Sequence, residues 1–345
     1  MVSQFHAVST LGASQSAKLR KSKQLNAETI RGHYATQVLV ALIDVGFMDE
    51  LTSGKAVSAA AFAQREGLDE SVLQALCDYA YELEYLDQSS GGYILSDKGK
   101  LVDQVMKGAL LSVLAYADIF ANLTPLLRRE KVYGQDVKRQ SKYVAVGSGL
   151  SARLLAIPAV SKLLLDAKRT RILDLACGDA AFLINMCTSE PRFTGYGVDI
   201  APEAIAEGNE ALARHGLQGR VNLLVADMFA MDDSFPAAAK IDATTCIYAL
   251  HEFLSDDNQR LLELLRKYRS RFASVPLYVC EVIRHTPEEL RNKPGGVMEI
   301  QLLHTLSNQR LATRAEWHDI FRRAGFGAVK ETYMDFARTA VFVAS

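Results

Sequence analysis

The chain has 345 residues, 49% of them hydrophobic, with 39 Lys and Arg against 40 Asp and Glu. So even a balance leaves no electrostatic footprint for nucleic acid or an anionic membrane, and no apolar run approaches the roughly 20 residues of a spanning helix. A length beyond roughly 250–300 residues predicts more than one domain. The start, Met1-Val-Ser-Gln-Phe-His-Ala7, has no basic-then-apolar targeting pattern. Cys77, Cys177, Cys187, Cys246 and Cys280 are scattered and mostly lie inside apolar runs. They read as reduced core residues of a cytoplasmic protein, not as a disulfide or zinc framework.

Residues 1–20, rich in Ser, Ala, Gln and Lys, show little periodicity and are expected to be mobile or to form a peripheral dimer arm. From Asn26 to Leu51 apolar residues recur at helical spacing, with a break at Gly46. Val57–Gly67 and Ser71–Leu86 read as two helices joined by a turn, and Asp87–Ser96 as a hairpin through Ser-Gly-Gly. Helix, helix, hairpin is the order of a winged helix. Its second helix carries Asp78, Glu82 and Glu84 and no Lys or Arg, whereas a groove-reading helix needs cations for the phosphates. Residues 1–110 therefore read as an α-helical winged-helix dimerisation domain that gives a homodimer.

Residues 111–168 read as a helical linker. Within it Tyr133–Arg153 is polar, contains several glycines and has no clear period. It is expected to be a substrate lid carrying Tyr143, Ser148, Ser151 and Arg153; a plain connection is the alternative.

From Thr170 onward strand and helix patterns alternate, which predicts an α/β domain over residues 169–345 with helices on both faces of the sheet. The strands read as Ile172–Ala176, Thr194–Asp199, Asn222–Ala226, Ile241–Tyr248, Leu277–Val282, Ala328–Tyr333 and Thr339–Ala344. The helices between them include Glu203–His215, Asn258–Phe272 and Arg314–Ala324. Acids fall near the ends of the first three strands, at Asp174, Asp199 and Asp227. Ligands of open α/β sheets bind at those ends, where acids take ribose hydroxyls.

The first turn, Asp174-Leu-Ala-Cys-Gly-Asp-Ala180, has small residues at Ala176, Gly178 and Ala180 and acids at Asp174 and Asp179. A pyrophosphate would be badly placed beside those carboxylates; a cationic nucleoside would not. The segment resembles motif I of class I S-adenosylmethionine methyltransferases, with alanine at two of the three glycine positions. The resemblance implies a Rossmann-like methyltransferase sheet. It also implies S-adenosylmethionine held by Asp174, Ala176, Gly178, Ile200 and Phe229, with the ribose on Asp199 and adenine beside Asp227 and Met228.

The fourth strand ends in His251-Glu252 and the fifth in Glu281. An ionisable pair at a strand end next to a nucleoside site is where chemistry is expected. With these residues and the tail Arg310-Leu-Ala-Thr-Arg-Ala-Glu-Trp317, the chain from about residue 25 resembles the winged-helix small-molecule methyltransferases. In that family the histidine at the place of His251 is a general base, followed by an Asp where Glu252 stands, and Glu281 falls on a nearby acid. His304 lies nine residues before Thr313. That is the spacing of the subgroup that methylates carbon beside a 2-oxo group, whose members hold a non-haem metal through two histidines.

The resemblance thus implies His251 and His304 as ligands of a divalent metal such as iron, and a small 2-oxo acid, aryl or arginine-derived, as substrate. Glu299 is a candidate for meeting a guanidinium. The alternatives are O-methylation of a phenolic or hydroxylated metabolite with His251 as base, and a non-catalytic regulator that binds S-adenosylmethionine.

Overall fold

The structure is a computed structural model that describes residues 13–232, 234–293 and 297–345. Residues 1–12 of the expected N-terminal arm lie outside the described residues; the arm continues as helix α1, Ala13–Asn26. The chain divides into two compact units, Met1–Leu114 and Ala115–Ser345.

In the first unit a π-helical turn leads to α2, Gly32–Asp44, and Gly46 takes φ +80° before α3, Phe47–Leu51. That conformation is steric freedom only glycine has cheaply, which explains the break in the helical period. Helix α4, Ala59–Glu66, starts on a Ser58 side chain that accepts from the Ala61 N–H, and α5, Glu70–Glu82, starts on Asp69 in the same way. A hairpin follows, β1 Leu86–Ser89 and β2 Gly92–Leu95, and Val57 bridges to Tyr93 beside it. Gly92 must be glycine, because a Cβ there would stand 2.1 Å from the Val57 carbonyl oxygen. Phe47, Met48, Leu51, Phe62, Cys77 and Leu86 fill the core of this unit. Helices α6, Asp97–Leu101, and α7, Lys107–Ala115, end it.

The second unit opens with α8, Ala117–Ala121, and α9, Leu123–Leu127. The stretch Tyr133–Arg153, which has no sequence period, is helical in most of its length: α10 covers Ser141–Leu154 and runs into α11, Ala156–Asp166. Gly147 and Gly149 lower helix propensity there. Only Gly147 and Ala152 of α10 are buried, so no apolar stripe marks it. Residues 115–168 thus group with the sheet rather than standing apart as a linker.

The sheet has seven strands: β3 Arg171–Leu175, β4 Thr194–Asp199, β5 Val221–Val225, β6 Ala243–Ile247, β7 Leu277–Val282, β8 Val329–Met334 and β9 Thr339–Ala344. Their spatial order is β5-β4-β3-β6-β7-β9-β8. The first five are parallel, and β9 runs antiparallel to both β7 and β8. The helices between strands are α12 Ala181–Ser189, α13 Pro202–Arg214, α14 Gln259–Arg271, α15 Pro287–Asn292, α16 Val297–Leu306 and α17 Arg314–Arg323.

One face of the sheet packs against Leu261, Leu265 and Tyr268 of α14 and Trp317 and Phe321 of α17. The other packs against Ile157, Val160 and Leu164 of α11 and Phe182, Leu183 and Met186 of α12. Burial on both faces is why β3 and β7 read as largely apolar runs; β6 instead buries Thr244 and Thr245. The chain leaves β3 toward β4 and β5 and returns to β6 on the other side, so the strand order reverses between β3 and β6. Among the described residues no single helix is long and apolar enough to cross a membrane.

The tail motif has a local explanation. Thr313 caps α17 by accepting from the Glu316 N–H at 3.2 Å, while Glu316 accepts from the Thr313 N–H at 2.7 Å. Arg310 and Arg284 also bond the Glu316 carboxylate, and Trp317 follows it into the core, fully buried. Burial works to raise the Glu316 pKa, but the bonds from Thr313, Arg284 and Arg310 outweigh it and bring it to about 2, from an ordinary 4.5. We expect Thr313→Ala to destabilise the second unit by about 1 kcal/mol in urea unfolding, the usual loss for a cap. A depressed carboxyl contributes stability above its unfolded pKa and loses it as the pH falls. Glu316→Gln should therefore blunt the acid sensitivity of the wild type between pH 4.5 and about 2.

Candidate active site

The chain reversal between β3 and β6 opens a cavity of about 380 Å³. Its wall is made by Asp174 and Ala176–Asp179 after β3, Ile247–Ala249 after β6, and one face of α10. The turn after β3 is bent through three consecutive small positions in left-handed backbone: Ala176 at φ +55°, Gly178 at +54° and Ala180 at +62°. Alanine tolerates this region less well than glycine, and hydrogen bonds hold the turn in place. Cys177 N–H donates to the Val198 carbonyl, Gly178 N–H to Asp199 Oδ2 at 2.9 Å, and Ala181 N–H to Asp179 Oδ1.

Asp174 is buried and accepts the Thr245 hydroxyl at 2.6 Å. Burial above all, with Asp199 nearby, pushes its carboxyl up to about 7. Asp199 ends β4, its second oxygen accepting from Ala201 N–H, and Ala226 N–H donates to the Asp199 carbonyl. That bond ties the Asp227-Met228-Phe229 turn to the same region. The Phe229 ring meets Phe253 edge-on at 4.8 Å, with the Arg260 guanidinium 4.6 Å from the Phe229 centroid. Ile200 is 70% exposed.

Beyond β6 the chain makes a tight turn, Leu250–Phe253, that buries His251. Its Nδ1 lies 2.7 Å from Oε2 of Glu281, which is fully buried on β7. The other Glu281 oxygen accepts the N–H groups of Leu250 and His251 at 2.8 and 3.2 Å. A carboxylate partner at Nδ1 puts the ring proton there and leaves the lone pair on Nε2. Burial opposes a charge on His251, but the charge and hydrogen bond of Glu281 outweigh it, so the pKa is raised.

His304 on α16 faces His251 with 5.0 Å between ring centroids and 66° between planes. Its Nδ1 bonds the Ile300 carbonyl at 2.7 Å, which again fixes the proton on Nδ1 and the lone pair on Nε2. Burial and the neighbouring His251 push His304 down to about 4. Among the described residues no cluster of three or more His, Cys, Asp and Glu side chains is arranged to hold a metal ion; the two imidazoles stand as a pair.

Glu252 lies 3.8 Å from His251 Nε2. It is held by Arg139, whose Nη2 is 3.1 Å away, and by Gln309, which itself accepts from Arg139 at 2.7 Å. Tyr116 is a further partner of Arg139. Sequence reading missed Arg139 and Gln309, because their partners are far away in the chain and neither sits in a periodic pattern.

The four substrate candidates are not brought together. Tyr143 packs with Tyr116 and Leu303 beside α16. Ser148 and Arg153 instead line the cavity under the β3 turn, where Arg153 pairs with Asp179. Glu299 is exposed. At about 100° per residue it stands about 140° round α16 from His304.

Residues 166–325 match the sequence model of a methyltransferase domain. The 2-ketoarginine methyltransferase of Streptomyces arginensis is 26% identical over 317 residues, 89% of this chain and 90% of that one. The 3-hydroxy-5-methyl-1-naphthoate 3-O-methyltransferase of Streptomyces sahachiroi is 26% identical over 252 residues, covering 67% and 69% of the two chains. Among solved structures the mitomycin 7-O-methyltransferase MmcR superposes with a TM-score of 0.69 at 14% identity, over 96% of this chain and 99% of that one. With the cavity at the strand-order reversal, these matches make the chain an S-adenosylmethionine-dependent methyltransferase on a Rossmann-like sheet.

Proposed function

We propose that the enzyme transfers the methyl group of S-adenosylmethionine to the β-carbon of a 2-oxo acid, an aryl pyruvate or the one derived from arginine. The observation that carries this reading is the His251–His304 pair, in which both Nδ1 protons are engaged and both lone pairs are left on Nε2. Two neutral imidazoles suit a divalent first-row metal such as iron, and each already makes the outer hydrogen bond that metal-bound histidines make. His251 and His304 would hold the ion, which supplies Lewis acidity toward a 2-oxo oxygen.

Glu252 takes the proton from the β-carbon, and the electron pair left there forms the new C–C bond as the S–CH₃ bond breaks. The products are the methylated 2-oxo acid and S-adenosylhomocysteine. Arg139 offers its guanidinium to the substrate carboxylate. The resemblance to a 2-ketoarginine methyltransferase supports the 2-oxo acid class.

O-methylation is the second reading. The His251–Glu281 pair is by itself a complete general base, and an O-methyltransferase is among the relatives. The test is methyl transfer to a panel of 2-oxo acids and phenols, with and without chelator. We expect chelator to stop the reaction, a first-row divalent ion to restore it, and a β-deuterated 2-oxo acid to exchange its label. His304→Ala should lose about 100-fold or more in activity, at the upper end of what metal-site changes cost, while S-adenosylmethionine still binds. Activity that resists chelator and survives His304→Ala, but not His251→Ala, would point to O-methylation.

S-adenosylmethionine occupies the cavity between β3 and β6, its ribose on Asp199, adenine beside Ile200, Asp227, Met228 and Phe229, and its amino-acid end between Asp174 and Arg153. Asp199→Ala should weaken binding at least tenfold, about 1.4 kcal/mol. Equal calorimetric affinities in the two proteins would remove Asp199 from the site.

The first unit forms the homodimer interface. Leu25, Ile30, Tyr34, Leu101 and Val105 are each more than half exposed, at 61%, 51%, 58%, 58% and 54%, which is unusual for so many large apolar side chains. Light scattering at micromolar concentration should give twice the chain mass; the mass of one chain would count against the interface.

A further inference from the structure

The two histidines stand on elements far apart in sequence, and something must hold them 5.0 Å apart. His251 is fixed to β7 through Glu281. His304 is on α16, where its ring bonds its own helix, at the Ile300 carbonyl. Its position therefore follows from where α16 lies against the chain leaving β7.

Gln301, one helical turn from His304, makes that connection. Its side-chain oxygen accepts the His285 N–H at 3.1 Å, and its side-chain N–H donates to the His285 carbonyl at 3.0 Å. One amide side chain thus satisfies both backbone groups of a single residue, as a neighbouring strand would. His285 is itself immobilised: its Nε2 lies 3.1 Å from the Tyr333 hydroxyl on β8, and its Nδ1 lies 3.6 Å from Glu289 on α15. Next to it, Arg284 N–H donates to the Ala312 carbonyl beyond the end of α16. Gln301 therefore anchors the His304 helix to the chain leaving β7, the strand whose Glu281 anchors His251.

We infer that Gln301 is a positioning residue that sets the spacing of the two imidazoles. The inference rests on the two-histidine reading of the site, and its test separates the two. In the full chain, Gln301→Leu removes both bonds and Gln301→Glu keeps only the one accepted from the His285 N–H. The first readout is metal-free: the nuclear Overhauser contact between the ring protons of His251 and His304, with selectively labelled histidine. It should be present in the wild type, weakened in Gln301→Glu and lost in Gln301→Leu.

The second readout is Co²⁺ binding by calorimetry, which should weaken at least tenfold in Gln301→Leu and less in Gln301→Glu. S-adenosylmethionine affinity should stay within about twofold in both, because that pocket is built from other elements. A general loss of structure would lower it too, and in that case the milder Gln301→Glu decides. An undiminished ring contact in a Gln301→Leu protein that still binds S-adenosylmethionine overturns the inference. If the wild type fails to bind Co²⁺, the metal reading falls, and the ring contact alone still decides the role of Gln301.

Discussion

A single buried carboxylate organises the catalytic half of this enzyme. Glu281 stands at the end of β7 with no exposure to solvent and accepts three hydrogen bonds, from the Leu250 N–H, the His251 N–H and His251 Nδ1. A buried charge is tolerable only when its lone pairs are occupied, so the turn after β6 must close onto β7. Closing it buries His251, sets its tautomer and aims the chain that carries Glu252 and Phe253. Glu252 then meets Arg139 and Gln309, and Phe253 meets Phe229, which follows β5. The turns after β5 and β6 are thus joined.

The same carboxylate accounts for the opposite behaviour of the paired histidines. His251 is buried and His304 half-buried, and burial alone disfavours either imidazolium. His251 has Glu281 against its ring and its pKa rises, whereas burial and the neighbouring His251 push His304 down to about 4. His304 is consequently neutral across the physiological range, with its lone pair available. The pair thus sets one histidine with a carboxylate behind it beside one that stays uncharged.

The turn after β3 stores strain at two points. Ala176 and Ala180 adopt the left-handed backbone that a glycine would take at less cost. The bonds from Cys177, Gly178 and Ala181 to β4 and Asp179 over-determine the turn, which is how such a conformation persists without glycine. Asp179 meets Arg153 of α10 across the cavity mouth. Tyr143 and Ala152 of the same helix pack into separate hydrophobic cores.

The strand segments were legible because strands buried on both faces are largely apolar runs, and each ends at a turn of small or acidic residues. Gly46 and the hairpin were legible for similar local reasons, whereas the tail was singled out by resemblance and its Thr313–Glu316 cap appears only in the structure. His251 and Glu281 were also legible, since an ionisable residue at a strand end has few structural uses. His304 was singled out by a spacing, which said nothing of the ring it would face. Helix α10 was not visible in the sequence, and neither was the Arg139–Glu252–Gln309 network, nor the shift of Ser148 and Arg153 to the cavity wall. Local pattern reports what each segment does with its own neighbours. These features depend on partners brought close only when β3 and β6 come together and α16 docks against the exit of β7, so the tertiary structure alone decided them.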